Sequence, residues 1–178
     1  MNEFSRKIDE NIARVVDFPK EGIQFKDITS LFQNPELTKQ MVDAFADFSR
    51  GKVDAVCGIE SRGFLFGLLI AQKLKVPFVL VRKQGKLPPE TVSESYDLEY
   101  GSSTIEVQSQ YIKEGQRYLV HDDILATGGT AEATAKLIEK CGGVVTQFSF
   151  IADLSFLDGM EKLKSFTEEI QSLVTYHS

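Results

Sequence analysis

The chain has 178 residues, 42% of them apolar and 26% charged, a size and balance that suit one domain with a full core of its own. A net charge of -6 excludes the broad basic face that general nucleic-acid binding needs, and no apolar run approaches the length of a membrane span. Cys57 and Cys141 lack metal-ligand spacing and the charged start has no signal-peptide core, so free thiols and a cytoplasmic location are expected.

Phe4, Ile8, Ile12 and Val15 or Val16 fall on one helical face, which predicts an amphipathic helix over residues 3–16. Residues 17–22 (DFPKEG) break it, and 23–29 read as short and extended. Asn34 before Pro35 is an N-cap with Pro at N1, opening a helix to about Ser49. Residues 53–59 read as a buried strand, 63–74 as a helix and 76–81 as the next strand. Residues 82–103 have two prolines, many polar residues and no clean periodicity, as in a disordered segment or a functional lid. A short strand at 104–107, strands at 117–120 and 144–151, and a helix at 131–141 between these last two complete the pattern. Strands alternating with helices predict an α/β fold with ligands at the carboxyl ends of a parallel sheet.

Residues 118–130 (YLVHDDILATGGT) carry most of the chemistry. An apolar run ends in Asp122 and Asp123, and three apolar residues later Thr127-Gly128-Gly129-Thr130 opens a helix. The glycines let successive N–H groups converge on one anion, the threonines add hydroxyl donors, and the helix start adds free N–H groups and its dipole. An ordinary turn into an N-capped helix would use the same TGGT letters, but two carboxylates ending a buried strand just before it go further. They repel phosphate and must face another part of the ligand. A vicinal sugar diol fits, because a carboxylate accepts two hydrogen bonds. A ligand with a phosphate at one end and a ribose diol nearby answers both halves.

Cys57-Gly58-Ile59-Glu60-Ser61-Arg62-Gly63-Phe64 repeats the strand, turn and helix, and adds a guanidinium suited to a pyrophosphate. Arg82, Lys83 and Lys86 place three cations beside the next strand end, where they offset the acidic net charge.

The 118–130 segment resembles the 5-phosphoribosyl-1-pyrophosphate (PRPP) motif of type I phosphoribosyltransferases, whereas Walker A and GxGxxG spacings are absent. The resemblance implies the type I phosphoribosyltransferase fold over 1–178: a mainly parallel central sheet flanked by helices, a small N-terminal hood over about 1–34, and a flexible lid over about 83–103. It implies that Ala126, Thr127, Gly128, Gly129 and Thr130 hold the 5-phosphate and that Asp122 and Asp123 hold the ribose. The 57–64 turn resembles the pyrophosphate loop, with Ser61, Arg62, Arg82, Lys83 and Lys86 serving that group and Glu60–Ser61 the candidate for the family's cis peptide.

Two further segments resemble those of adenine phosphoribosyltransferases. Residues 96–102 (YDLEYGS) are similar to the end of their catalytic lid, with Gly101 as a hinge and Glu99 as the catalytic group that manages the purine proton. Residues 17–28 resemble their adenine-recognition hood, in which the backbone at Gln24 and Lys26 reads the base while Phe25 and Ile124 face its two sides. A backbone carbonyl that accepts from the 6-amino group and an N–H that donates to N1 would leave buried groups unpaired with hypoxanthine, a discrimination of about 10⁴-fold or more. The implied reaction converts adenine and PRPP to AMP and pyrophosphate, with Mg²⁺ carried mainly by substrate oxygens rather than protein ligands, in a homodimer. Nucleic-acid and membrane partners are not expected.

Three positions depart from the pattern: Lys26 stands where Arg is frequent, Glu21 where Pro is common, and His121 where an aliphatic residue is usual. Strand alternation points His121 away from Asp122, so a packed or partly exposed histidine is expected rather than a metal ligand. Two rivals need features not evident in the sequence. Xanthine–guanine or orotate specificity would call for ionic side chains facing the base, and a PRPP-sensing regulator for a basic surface or an added winged-helix domain.

Overall fold

The computed structural model describes every residue except Pro19, Ile23 and 98–100. Asn2 caps α1 (Glu3–Asn11), its side chain accepting from Ser5 N at 2.8 Å. The helix ends five residues before the expected Val16, because the backbone becomes extended at Ile12 and forms β1 (Ala13–Val16). Ser30 captures that corner: its hydroxyl donates to Asn11 O at 2.6 Å and accepts from Ala13 N at 2.9 Å. The tertiary contact and the β-branched pair Val15-Val16 outweigh a helical period. β1 pairs antiparallel with β2 (Gln24–Asp27) in a sheet of two strands, and a 3-10 turn, Ile28–Gln33, leads out of it.

α2 (Pro35–Ser49) starts at the predicted cap, where the Asn34 side chain accepts from Leu37 N at 3.1 Å. There follow β3 (Ala55–Ile59), α3 (Gly63–Leu74), β4 (Phe78–Lys83), β5 (Thr91–Asp97) and β6 (Ser102–Gln108). Then come β7 (Arg117–Leu125), α4 (Gly129–Lys140), β8 (Val144–Leu154), α5 (Gly159–Leu163) and β9 (Ile170–Tyr176). The main sheet has seven strands in the order β5-β6-β4-β3-β7-β8-β9. The run from β4 to β9 is parallel, and β5 and β6 add antiparallel strands at one edge. Alternation along β3 and β7 feeds two cores. Cys57, Tyr118 and Val120 pack with Ala135, Ile138 and Phe148 on the α4 face, while Val56 and Leu119 pack with Phe45, Phe66 and Ile70 under α2 and α3.

The 82–103 stretch corrects the expectation of irregular structure. Much of it is a hairpin, with seven β5 residues paired to β6 from Thr91↔Gln108 to Asp97↔Ser102. β5 buries no residue fully; Val92 and Tyr96 pack half-buried against the α4-side core, but two apolar residues in a polar run are too few to read as a period. β9, beyond the last expected strand, closes the other edge. No helix among the described residues is long and apolar enough to cross a membrane.

Candidate active site

β3 and β7 are neighbours in the register Gly58↔His121, so the turn after Ile59 and the acidic pair after His121 emerge side by side. Gly63, which opens α3, makes the contact close: a Cβ there would stand 2.8 Å from His121 O and 3.0 Å from Asp122 Oδ1. The Glu60–Ser61 peptide in this turn is cis, at the bond singled out in the sequence.

Asp123 is only 5% exposed, and Arg62 Nε lies 2.8 Å from its Oδ2. That oxygen receives no aligned hydrogen bond among the described residues, so the contact is Coulombic rather than directional. The Arg62 guanidinium also sits 5.5 Å above the Phe25 ring centroid. Asp122 Oδ1 accepts from Asp123 N at 2.8 Å. Although part of Asp122 reaches the surface, its carboxyl is enclosed; burial first, and the adjacent Asp123 second, push it well above the usual carboxylate range.

A cavity of about 460 Å³ collects three separate stretches of sequence. Gln24, Phe25 and Lys26 come from β2, Glu60, Ser61 and Arg62 from the turn after β3, and Asp122, Asp123, Ile124 and Ala126 from β7 and its exit; Leu154 completes the wall. A smaller hollow of about 80 Å³, formed by Asp122 and residues 124–131 with Phe150, shares Asp122, Ile124 and Ala126 with it. This hollow is the predicted phosphate cradle. Gly128 takes φ +78° at the start of α4, and no side-chain cap occupies the helix's free N–H groups. A Cβ on Gly128 would lie 2.6 Å from Gly159 O, so the cradle rests on the first turn of α5. On its other side, Thr130 Oγ1 donates to Tyr96 OH at 3.1 Å, bringing the β5–β6 hairpin onto the cradle. A hollow of about 490 Å³ between α2 and α3 is lined by Phe32, Val42 and Leu69 and by Lys39 and Lys73, both of which pair with Asp43 in the same wall.

Arg82, Lys83 and Lys86 stand beside the turn but line neither hollow. Arg82 Nη2 reaches Glu60 Oε1 at 3.1 Å, Arg82 Nη1 donates to Lys86 O at 3.0 Å, and Lys83 N donates to Glu60 Oε2 at 2.8 Å. Burial would raise the Glu60 carboxyl, but Arg82 and the Lys83 N–H outweigh it and hold it below its ordinary value. The Lys26 side chain donates to Gln24 Oε1 at 2.8 Å and lies 4.4 Å from the Tyr176 ring centroid. His121 is fully buried, shares a 2.8 Å hydrogen bond with Ser149 Oγ and lies 5.1 Å edge-on to Phe45; burial pushes its pKa down to about 3. It is the packed histidine that strand alternation predicts. Glu99, the expected catalytic residue, lies outside the described residues.

Two participants escape the sequence reading: Leu154 on the cavity wall and Gly159 under the turn at Gly128. Asp158-Gly159 after β8 is a legible turn signal, whereas Leu154 carries no local signature.

Comparison with known proteins agrees with this geometry. The family described as "Phosphoribosyl transferase domain" matches residues 27–154. An adenine phosphoribosyltransferase of Christiangramia forsetii is 50% identical over 166 residues, which cover 93% of this chain and 96% of the relative. The crystal structure of the enzyme of that name from Thermoanaerobacter pseudethanolicus superposes with a TM-score of 0.92 at 44% identity, covering 97% of this chain and 99% of the other. The Saccharomyces cerevisiae structure, complexed with an imino-altritol bisphosphate and adenine, gives 0.89 at 38% identity over 97% of this chain and 99% of that one. With these motifs, this fold and these relatives, the chain belongs to the adenine phosphoribosyltransferase family of type I phosphoribosyltransferases.

Proposed function

We propose that the cavity binds adenine and PRPP and transfers the phosphoribosyl group to the base, giving AMP and pyrophosphate. The observation that carries this reading is the convergence of β2, the cis-peptide turn and the acidic pair on one cavity that continues into a phosphate cradle. The 5-phosphate belongs on the N–H groups and hydroxyls of 126–130, the ribose diol on Asp122 and Asp123, and the pyrophosphate against Ser61 and Arg62. Arg82, Lys83 and Lys86 act on the pyrophosphate from outside the wall, through the field of the basic turn and through Glu60.

Adenine fits between Phe25 and Ile124, with Leu154 beside it. β2 pairs on one side only, which leaves alternate backbone N–H and C=O groups along it unpaired by β1; we assign those at Gln24 and Lys26 to the base edge. In the reaction N9 attacks the anomeric carbon, the bond to pyrophosphate oxygen breaks, and the base loses a proton. The protein's tasks are to align the two reactants, exclude water and stabilise the leaving group. Glu99 is the group we assign to that proton, carried to the base by the lid over about 83–103.

Mg²⁺ is the ion the donor set suits. Among the described residues no three His, Cys, Asp or Glu side chains cluster as an all-protein metal site. Mg²⁺ keeps several waters and uses one or two carboxylates plus substrate phosphates, and Asp122 and Asp123 are the carboxylates on the wall able to meet it or its waters. When bound, it would neutralise the charge that builds on departing pyrophosphate.

The whole chain acts as one catalytic domain with the hood over about 1–34, in a homodimer, and the unbridged Cys57 and Cys141 support a cytoplasmic location. The deciding experiment incubates the protein, Mg²⁺ and PRPP with adenine, hypoxanthine, guanine, xanthine or orotate in turn. AMP as the dominant nucleotide is the expected product; a different nucleotide, or none, overturns the assignment.

A further inference from the structure

Glu106, on β6, is a buried carboxylate to which the reaction assigns no part. It is 4% exposed, and its Oε1 accepts from three successive backbone N–H groups, Gly85 at 3.1 Å, Lys86 at 3.2 Å and Leu87 at 3.0 Å. Its Oε2 faces Thr91 Oγ1 at 3.4 Å. Three N–H groups converging in a turn, with Gly85 at φ +81°, make an anion nest, and here the protein fills the nest with its own side chain. A buried carboxylate is costly unless several donors meet it, so the arrangement fixes the turn tightly.

What the turn carries gives that grip a use. Lys83 and Lys86 are exposed on it, and Lys86 O accepts from Arg82, whose other nitrogen holds Glu60. Glu60 precedes Ser61 and Arg62 on the cavity wall. The path from Glu106 through the turn and Arg82 to Glu60 is continuous, and every link is a hydrogen bond at or below 3.2 Å. The turn itself is mostly exposed, so losing its anchor frees the turn without opening either core.

We propose that Glu106 is a positioning residue for pyrophosphate recognition: by holding the 85–87 turn it sets where Lys86 stands relative to the wall formed by Ser61 and Arg62. This rests on the reading of the cavity as a PRPP site. AMP lacks the pyrophosphate, so its binding should not depend on the turn.

The test measures binding of inorganic pyrophosphate with Mg²⁺, and of AMP, by calorimetry. Glu106→Ala should weaken pyrophosphate about tenfold and AMP by less than about twofold, with the KM for adenine unchanged. Glu106→Gln keeps the volume and one acceptor but not the charge, and should fall between wild type and alanine. In a Lys86→Ala background, Glu106→Ala should add less than about twofold, because the residue acts through Lys86. Unchanged pyrophosphate affinity, equal losses for the two ligands, or full additivity with Lys86→Ala would overturn the proposal. If the alanine variant fails to fold, the glutamine variant and its cycle with Lys86→Ala decide the matter by the same criteria. A wild-type protein that binds neither PRPP nor AMP refutes the underlying site assignment instead, which keeps the two failures distinct.

Discussion

Asp122 and Asp123 are adjacent in sequence but differ in what surrounds them. Asp123 has the Arg62 cation at 2.8 Å, whereas the Asp122 carboxyl is pushed upward by burial and by Asp123 itself. Each carboxyl offers two acceptor oxygens, and a vicinal diol offers two donors to meet them. The Asp122→Asn, Asp123→Asn double variant should retain its circular dichroism spectrum and lose affinity for both PRPP and AMP. Charge-assisted hydrogen bonds of about 1.5–3 kcal/mol each set the scale. A calorimetric Kd for PRPP equal to that of the wild type would remove the ribose assignment. His121 makes a separate prediction about acid stability. Burial depresses its pKa to about 3, so below an unfolded value of about 6.5 the unfolded protein takes up a proton that the folded protein refuses. Its contribution is fully present above that unfolded value and is lost as pH falls towards the folded one, roughly 1.4 kcal/mol by about pH 5.5. His121→Gln can keep the bond to Ser149 without titrating, and should show a smaller drop in urea midpoint between about pH 7.5 and 5.5. Equal drops in the two proteins would show that His121 does not set the acid limb.

At the scale of elements, the sequence is most legible where local signals and tertiary packing agree. α2 begins at Asn34-Pro35 as its cap chemistry requires, and α3 and α4 begin within a residue of the glycine turns that open them. The motif residues on β2, β3 and β7 are readable because each sits at a strand end, and the parallel pairing of β3 with β7 then brings two of the three stretches together. Elsewhere the balance is settled by contacts that no window of sequence contains. β1 reads as helix until Ser30 takes its corner, and the β5–β6 hairpin hides because only Val92 and Tyr96 of its first strand give the core-facing side an apolar residue. Leu154 meets Ile124 and Phe25 only after a sheet forms, so it could not be named in advance. The hairpin bears on the proposed lid: Tyr96 of β5 accepts a hydrogen bond from Thr130, a residue we assign to the 5-phosphate. Binding of PRPP with adenine should slow amide exchange over 91–108, whereas the protein alone should exchange there faster than in β3 or β7. Glu99→Gln should lower turnover by about 10²-fold or more with little change in PRPP affinity, since it keeps shape and removes only the titrating group. Normal turnover in that variant would leave the lid with water exclusion as its sole task.

For the whole molecule, the open question is what covers α3. Its core side buries Phe66, Gly67, Ile70 and Ala71, while Leu65, Leu68 and Leu69 on the opposite side are 49%, 54% and 39% exposed. Those three leucines have i, i+3, i+4 spacing and form one stripe, and Leu80 of β4 is 38% exposed as well. A helix apolar on all sides belongs in an interior, and a leucine stripe facing water is the signature of a surface that associates. In a two-fold homodimer one such stripe meets its own copy, so a single patch satisfies both protomers. The placement has a consequence for the chemistry, because α3 begins directly after Arg62 and its first residue touches the acidic pair. A partner pressed on α3 would therefore brace the pyrophosphate turn from behind. Sedimentation velocity should show the wild type at twice the protomer mass, and Leu65→Glu with Leu68→Glu at the monomer mass, because two carboxylates per protomer would be forced into an apolar contact. The monomeric variant should keep its far-ultraviolet spectrum yet bind PRPP more weakly, with AMP less affected. A wild type that stays monomeric at micromolar concentration sinks the dimer. A variant that dissociates with PRPP affinity intact separates assembly from the site and leaves the turn braced by its own protomer alone.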